Sequence, residues 1–164
     1  MGIRFNADEV FSMAEQIESD GAAFYRRAAE LNAEHAAFLQ GLAAMEDQHK
    51  ATFEAMHAEI GEGMREDTAA DPYMEASMYL SAMASGHGGE GAPKVTAALT
   101  GKESLEDLLR IAIDLEAKSI IFYLGLKDMV PEKLGGKKID SIIAEEKLHI
   151  TMLAGELKKV RGDE

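Results

Sequence analysis

Cysteine and tryptophan are both absent from this 164-residue chain, and proline occurs only three times. A chain without cysteine cannot contain disulfides, thiol nucleophiles, cysteine-ligated zinc or iron–sulfur clusters. Basic residues are also in the minority, because 17 Lys and Arg stand against 30 Asp and Glu and give a formal net charge of −13. This acidity argues against binding to nucleic acid or to an anionic membrane surface.

Long apolar runs are missing as well, since no stretch approaches the ~20 apolar residues needed to cross a bilayer. Residues 1–6 have neither the apolar core of a signal peptide nor a myristoylation motif, and we therefore expect a cytoplasmic protein. Apolar residues still make up 46% of the sequence, enough for the core of one domain that spans residues 1–164. Because proline is rare while Ala and Met are common, we expect that domain to be all-α.

Apolar residues recur at steps of three and four through four long stretches, which is the pattern of packed amphipathic helices. The predicted helices cover about 7–31, 34–64, 104–129 and 137–160. Asn6, Asn32 and Ser104 are the predicted N-caps. The second and third helices are joined by a crossover, residues 65–103, in which we predict a short helix at about 73–84 followed by a glycine-rich stretch.

Two stretches one hundred residues apart each place a glutamate and a histidine three positions apart. The pairs are Glu46 with His49 and Glu146 with His149. At this spacing the two side chains share one face of a helix, and here that face is the apolar one. A carboxylate and an imidazole in such a position are costly unless something compensates their burial.

The first and third predicted helices also match each other. The segment around Glu18 repeats around Glu116 at an offset of 98, and each segment ends in a Phe-Tyr pair that contains Tyr25 or Tyr123. Both glutamates fall on core positions of their helices. A duplicated helical hairpin is the most economical interpretation.

The spacing of the four glutamates predicts the topology. Glu18 and Glu46 lie equally far from the turn between the first two helices, and Glu116 and Glu146 lie equally far from the turn between the last two. All four share one level only if the second and third helices are parallel; in an up-down-up-down bundle the two pairs would miss each other by ~9 Å. Parallel helices need a long connection. We therefore predict a four-helix bundle with one long crossover, the topology of ferritin-like folds.

This arrangement is the ligand set of a carboxylate-bridged two-metal site, with one glutamate from each of two helices and a Glu-x-x-His pair from each of the others. The candidate ligands are Glu18, Glu46, His49, Glu116, Glu146 and His149. Carboxylate and imidazole donors suit two iron ions, with manganese or zinc as alternatives, and they leave open positions for dioxygen or peroxide. The set is not typical of a structural zinc site, which is closed and tetrahedral.

With these residues and the two Phe-Tyr pairs, the sequence resembles the rubrerythrin-type branch of the ferritin-like superfamily across its four helices. The resemblance implies a non-haem di-iron centre that is oxidised by hydrogen peroxide or dioxygen. Rubrerythrins carry a rubredoxin domain with four cysteines, which this chain lacks, so we expect electrons from a separate donor protein. They also have a further glutamate on the third helix, whereas Ile113 and Ser119 stand one turn either side of Glu116.

Three functions stay open at this stage. The first is a di-iron oxidoreductase, for which we expect a homodimer. The second is a ferroxidase or iron store that uses the same site and assembles into a large shell. The third is a structural bundle or binding module without metal.

Other polar residues have simpler interpretations. Tyr25 and Tyr123 either donate hydrogen bonds to the ligands or accept radicals, or they are ordinary core tyrosines with satisfied hydroxyls. Glu54 and His57 form a third Glu-x-x-His pair, which we interpret as incidental. Eight residues separate Glu54 from Glu46, and this turns the pair ~80° away from the core stripe.

Overall fold

The computed structural model describes residues 7–60, 78–79, 82, 95–130, 132 and 135–162. Within these ranges the regular structure is helical. The helices are α1 (Ala7–Leu31), α2 (Ala36–Ala58), α3 (Val95–Ala98), α4 (Leu105–Met129) and α5 (Gly136–Arg161), with a 3-10 turn at Ala33–His35 between α1 and α2. None of the helices in the described part of the chain is long and apolar enough to cross a membrane.

The predicted bounds of α1, α4 and α5 agree with the structure to within one residue. The prediction for the second helix, 34–64, is wrong at its end, because α2 stops at Ala58. There the chain tightens, and the backbone N–H of Ile60 donates to the carbonyl of His57, three residues back. Ile60, just beyond the end of the helix, is buried in the core. The predicted continuation over 61–64 lies outside the described residues.

The helix caps are partly as predicted. Ser104 forms a complete capping box with Asp107 at the start of α4, which satisfies two backbone donors that the helix cannot pair. Asn32 does not cap the following helix; its side-chain amide donates instead to the Ala28 carbonyl at the end of α1. The third predicted cap, Asn6, lies outside the described residues.

Contacts between tyrosines and glutamates establish the directions of the helices. The Tyr25 hydroxyl of α1 donates to Glu116 of α4, and the Tyr123 hydroxyl of α4 donates to Glu18 of α1. On both helices the tyrosine follows its glutamate by seven residues, so this exchange requires α1 and α4 to be antiparallel. The short connection makes α1 and α2 antiparallel as well. It follows that α2 and α4 are parallel, which confirms the predicted long crossover.

The crossover itself is only partly described. Met78, Tyr79 and Ala82 are helical and fall within the short helix predicted at about 73–84, whose other residues lie outside the described part of the chain. The predicted glycine-rich stretch also lies outside it. The single turn α3 just before α4 was not expected from the sequence pattern.

The core consists of two apolar clusters separated by a polar layer. The lower cluster includes Phe11, Phe53, Met56, Phe122 and Ile139. The upper cluster includes Phe24, Leu39, Leu42, Leu109 and Leu153. Each long helix contributes residues to both clusters and crosses the polar layer between them. That layer is where the predicted ligands lie.

Candidate metal centre

All six predicted ligands converge in the polar layer. Each is buried, and the most exposed, Glu46, retains only 4% of its accessible surface. The six are Glu18 from α1, Glu46 and His49 from α2, Glu116 from α4, and Glu146 and His149 from α5. The four helices thus bring together side chains that are up to 131 positions apart in the sequence.

The potential ligand atoms form two overlapping groups, and within each group they lie within 4.8 Å of one another. Position A consists of Glu18, Glu46, His49 and Glu146. Position B consists of Glu46, Glu116, Glu146 and His149. Glu46 and Glu146 belong to both groups, so two bound ions could share their carboxylates. Glu18 belongs to position A alone and Glu116 to position B alone, and these two lie at the ends of the site.

Both histidines turn the same ring nitrogen toward the carboxylates. His49 Nδ1 lies 3.0 Å from Glu146 Oε1 and 3.5 Å from Glu18 Oε2. His149 Nδ1 lies 3.0 Å from Glu146 Oε2 and 3.1 Å from Glu46 Oε1. The two rings stack with their centroids 5.5 Å apart. The imidazoles are therefore preoriented as a matched pair, one for each position.

Tyr25 and Tyr123 act as hydrogen-bond donors to the two end carboxylates, Glu116 and Glu18. Burial, followed by the charge of the neighbouring glutamates, raises the pKa of both hydroxyls well above the usual value of 10.0. Both tyrosines therefore stay protonated and donate hydrogen bonds. Each holds one carboxylate oxygen, which fixes the rotation of that carboxylate about its terminal bond.

Among the described residues, five buried polar atoms of this layer have no hydrogen bond of normal geometry, although His149 Nδ1 lies close to carboxylate oxygens. They are Glu18 Oε2, Glu46 Oε1, Glu146 Oε2, and both Nδ1 and Nε2 of His149. Buried polar atoms without partners are rare, because each costs about 1–3 kcal/mol. Cations between the carboxylates would compensate the oxygen atoms and His149 Nδ1. The donor set therefore fits a pair of divalent metal ions.

Without metal, protons balance the charge of the carboxylates. Burial on its own would lower the imidazole pKa, but the hydrogen bonds and charges of the surrounding glutamates raise the pKa of His49 to about 11 and of His149 to about 12. Burial also raises the pKa of Glu116 to about 7 and that of Glu18 well above its usual value. Although burial opposes it, hydrogen bonds from the two imidazoles lower the pKa of Glu146.

A small cavity lies beside position B, between α1 and α4. Its volume is about 30 Å³, and since a water molecule needs about 10–15 Å³ on this measure it has room for about two water-sized groups. Gly21 and Ser119, which are equivalent in the internal repeat, form part of its wall together with Tyr25, Glu46 and Glu116. A Cβ atom on Gly21 would lie 3.0 Å from Glu46 Oε2.

Two of these features were missed by the sequence argument. The first is Gly21, where the signal was a glycine on a core position of a helix. The second is Glu145, whose Oε2 lies 3.0 Å from His49 Nε2; it immediately precedes a predicted ligand, but nothing in the sequence shows which side chain faces it. His57, by contrast, is separate from the centre as predicted, and it contacts Glu15 and Asp8.

Comparison with known proteins adds evidence for the fold. No model of a known protein family matches the chain, and no curated protein matches its sequence. A crystal structure from Thermotoga maritima superposes with a TM-score of 0.69 and 23% sequence identity, over 95% of this chain and 97% of that one. That protein has the provisional description of ferritin-like diiron-carboxylate protein. The fold is ferritin-like.

In this ferritin-like bundle the buried cluster of carboxylates and imidazoles lies in the middle of the four long helices. The structural likeness is informative about the backbone. The chemistry of the centre depends on the six side chains themselves, their burial and their unsatisfied atoms.

Proposed function

We propose that the six residues bind two iron ions and that the protein is a rubrerythrin-like di-iron oxidoreductase of the cytoplasm. Hydrogen peroxide or dioxygen is the oxidant, and a separate protein donates the electrons. The observation that carries this proposal is the meeting of four carboxylates and two imidazoles in one buried layer, with two carboxylates shared between positions A and B.

Charge and donor type favour iron in these positions. Four carboxylates offset the charge of two divalent ions, so a loaded centre would be close to neutral inside an apolar bundle. Oxygen donors combined with one imidazole for each ion suit iron or manganese. When bound, the iron pair supplies the electron-transfer chemistry by which peroxide or dioxygen is reduced.

The surrounding residues serve that chemistry in separate ways. Tyr25 and Tyr123 orient the end carboxylates. The two apolar clusters keep bulk water away from the layer, which strengthens the electrostatic interactions within it. The cavity at Gly21 and Ser119, with a volume of about 30 Å³, has room for a small oxidant.

One feature favours a second candidate, a ferroxidase or iron-handling protein. The further carboxylate that the resemblance implies on the third helix is absent, because Ile113 and Ser119 flank Glu116. The Ser119 hydroxyl donates to the Leu115 carbonyl of its own helix, and a neutral hydroxyl does not supply the charge of a carboxylate. Without that carboxylate the likeness to rubrerythrins is weaker, which favours the second candidate.

The test begins with metal analysis of freshly purified protein and of the Glu46→Ala and His149→Ala variants. We expect two iron ions per wild-type chain and a large loss in both variants. Equal metal content in all three would contradict the proposed centre and favour a structural bundle.

The reaction is tested by mixing the iron(II)-loaded protein with peroxide or with dioxygen and following the absorption of the iron(III) product. Oxidation by either supports the proposal, and its absence contradicts it. Solution mass separates the two candidates. We propose a homodimer, so a mass of one or two chains opposes storage, whereas a large hollow oligomer supports it.

A further inference from the structure

Glu145 lies just outside the candidate centre. It contacts the edge of the His49 ring that points away from the centre. The Nε2 atom of His49 is 3.0 Å from Glu145 Oε2. Nδ1 of the same ring faces Glu18 and Glu146. When Nδ1 ligates a metal ion, Nε2 keeps its proton, and Glu145 is placed to accept that hydrogen bond. The Glu145 side chain is about half exposed, at 49%, so it connects a buried imidazole to the protein surface.

The other histidine has no equivalent partner. His149 Nε2 is buried, and no residue in the described part of the chain forms a hydrogen bond with it. The internal repeat explains this difference. At the offset of 100 that relates Glu46 to Glu146, the position of Glu145 is occupied by Met45. A thioether is at most a weak acceptor and carries no charge.

The cavity adds an independent difference between the two positions. It is lined by Tyr25, Glu46 and Glu116. Glu116 belongs to position B alone, and Tyr25 is its hydrogen-bond partner. The only residue of position A in the cavity wall is Glu46, which both positions share. Position B therefore borders the cavity, whereas position A is the one whose histidine, His49, contacts Glu145 through its outer nitrogen.

We infer that Glu145 is a positioning residue that makes the two metal positions unequal, so that position A binds its ion more tightly and position B is the exchangeable, oxidant-facing one. A carboxylate that accepts the outer N–H of a ligating histidine fixes the tautomer and makes the inner nitrogen more basic. His49 receives this support and His149 does not. The inference rests on the proposed two-metal centre.

The test is a titration of the metal-free protein with Co²⁺, a probe that needs no oxidant, followed by calorimetry and visible absorption. We expect two ions to bind to the wild type in two resolved steps. Glu145→Ala should weaken the tighter step by about 10- to 100-fold, as loss of such outer partners usually does, and leave the weaker step nearly unchanged. Glu145→Gln keeps a hydrogen-bond acceptor, so its affinity in the tighter step should lie between those of the wild type and Glu145→Ala.

Met45→Glu is the reciprocal variant. It supplies the missing carboxylate on the other half of the repeat. It should raise the affinity of the weaker step and reduce the difference in affinity between the two steps. Asp140→Ala is the matched control, because it removes one exposed negative charge from the same helix, where Asp140 pairs only with Lys127 in the described residues. It should leave both steps unchanged.

The outcomes separate this inference from the proposed centre. Two ions that bind in indistinguishable steps, or a Glu145→Ala variant that weakens both steps equally or neither, would overturn the assignment of Glu145 and leave the centre intact. A wild type that binds no Co²⁺ would overturn the centre and this inference together. If Asp140→Ala had as large an effect as Glu145→Ala, the loss of one negative charge would explain both effects. This result would also overturn the inference that Glu145 is a positioning residue.

Discussion

The hydroxyl of Tyr123 on α4 donates a hydrogen bond to Glu18 on α1, a residue 105 positions away in the sequence. The equivalent bond joins Tyr25 on α1 to Glu116 on α4. Each helical hairpin thus supplies the tyrosine that holds a glutamate of the other. Neither half of the repeat can complete its part of the centre alone.

Tyr123→Phe should therefore weaken metal binding at position A. The change removes the donor from Glu18 and leaves a buried carboxylate oxygen unsatisfied, which costs about 1–3 kcal/mol. Stepwise Co²⁺ titration and urea unfolding of the metal-free protein measure the two effects. Tyr25→Phe is the matched variant and should affect position B instead. If both variants change the same step, the proposed pairing of tyrosines with positions is wrong.

Gly21→Ala should lower metal affinity without lowering the stability of the metal-free bundle. The added methyl group lies 3.0 Å from Glu46 Oε2, so it displaces a carboxylate that both positions share. Replacement of a helical glycine by alanine also favours the helix by about 0.8–1 kcal/mol, which offsets the crowding in the free energy of unfolding.

Gly41→Ala is the control for this prediction. Among the described residues, no atom outside the surrounding helix backbone and the neighbouring residues lies within 4 Å of a Cβ atom at Gly41, so the change adds helix propensity alone. It should raise the free energy of unfolding and leave Co²⁺ affinity unchanged. Equal affinity in the Gly21→Ala variant would show that Glu46 moves freely and that close packing at Gly21 is not needed.

His57 should make the bundle more stable in mild acid than at alkaline pH. Burial alone would lower its pKa, but hydrogen bonds with Asp8 and Glu15 raise the pKa above the usual 6.5. A group whose pKa is higher in the folded state stabilises the fold fully at pH values below its unfolded-state pKa. This stabilisation is lost as the pH rises through the folded-state pKa.

The measurement is urea unfolding of wild type and His57→Gln between pH 5.5 and 9. The variant should be less stable by about 1 kcal/mol or less at the acid end, and the difference should shrink toward pH 9. The ring of His57 also stacks on Phe11, which adds a loss that does not change with pH. A difference that is constant over the whole range would contradict the prediction.

Metal binding should release protons. The metal-free centre holds protons on His49 and His149, whose pKa values are raised to about 11 and about 12, and ligation requires neutral imidazoles. We expect more than two protons to leave as two ions bind at neutral pH, because the raised pKa values of Glu18 and Glu116 add to those of the imidazoles, and the apparent affinity should fall as pH is lowered. Calorimetry in buffers of different ionisation enthalpy counts these protons. A binding heat that does not depend on the buffer would contradict the prediction.

The sequence predicts the topology and the meeting of the six residues because both depend on spacing along regular helices. A rise of 1.5 Å per residue and a repeat of nearly equal offsets are enough to place Glu18, Glu46, Glu116 and Glu146 at one level. The parallel arrangement of α2 and α4 follows from the same arithmetic. These features are insensitive to the details of packing.

The remaining features depend on contacts across helices, which spacing does not encode. α2 ends at Ala58, and Ile60 beyond it is buried in the core; the three-four pattern of the sequence continues past this point and does not mark the end. The side-chain oxygen of Asn32 accepts no backbone N–H of the next helix, while the amide N–H donates to the Ala28 carbonyl of α1. Glu145 looks like an ordinary solvent-facing residue until α5 is packed against α2 and brings His49 within 3.0 Å.

Anomalous diffraction at the iron edge, from a crystal of protein purified without added or removed metal, tests the central claim most directly. We predict two iron peaks inside the bundle, one among Glu18, His49 and the shared carboxylates, the other among Glu116, His149 and the same carboxylates. An absence of anomalous density in this layer, or a single peak elsewhere on the protein, would contradict the assignment of a di-iron centre.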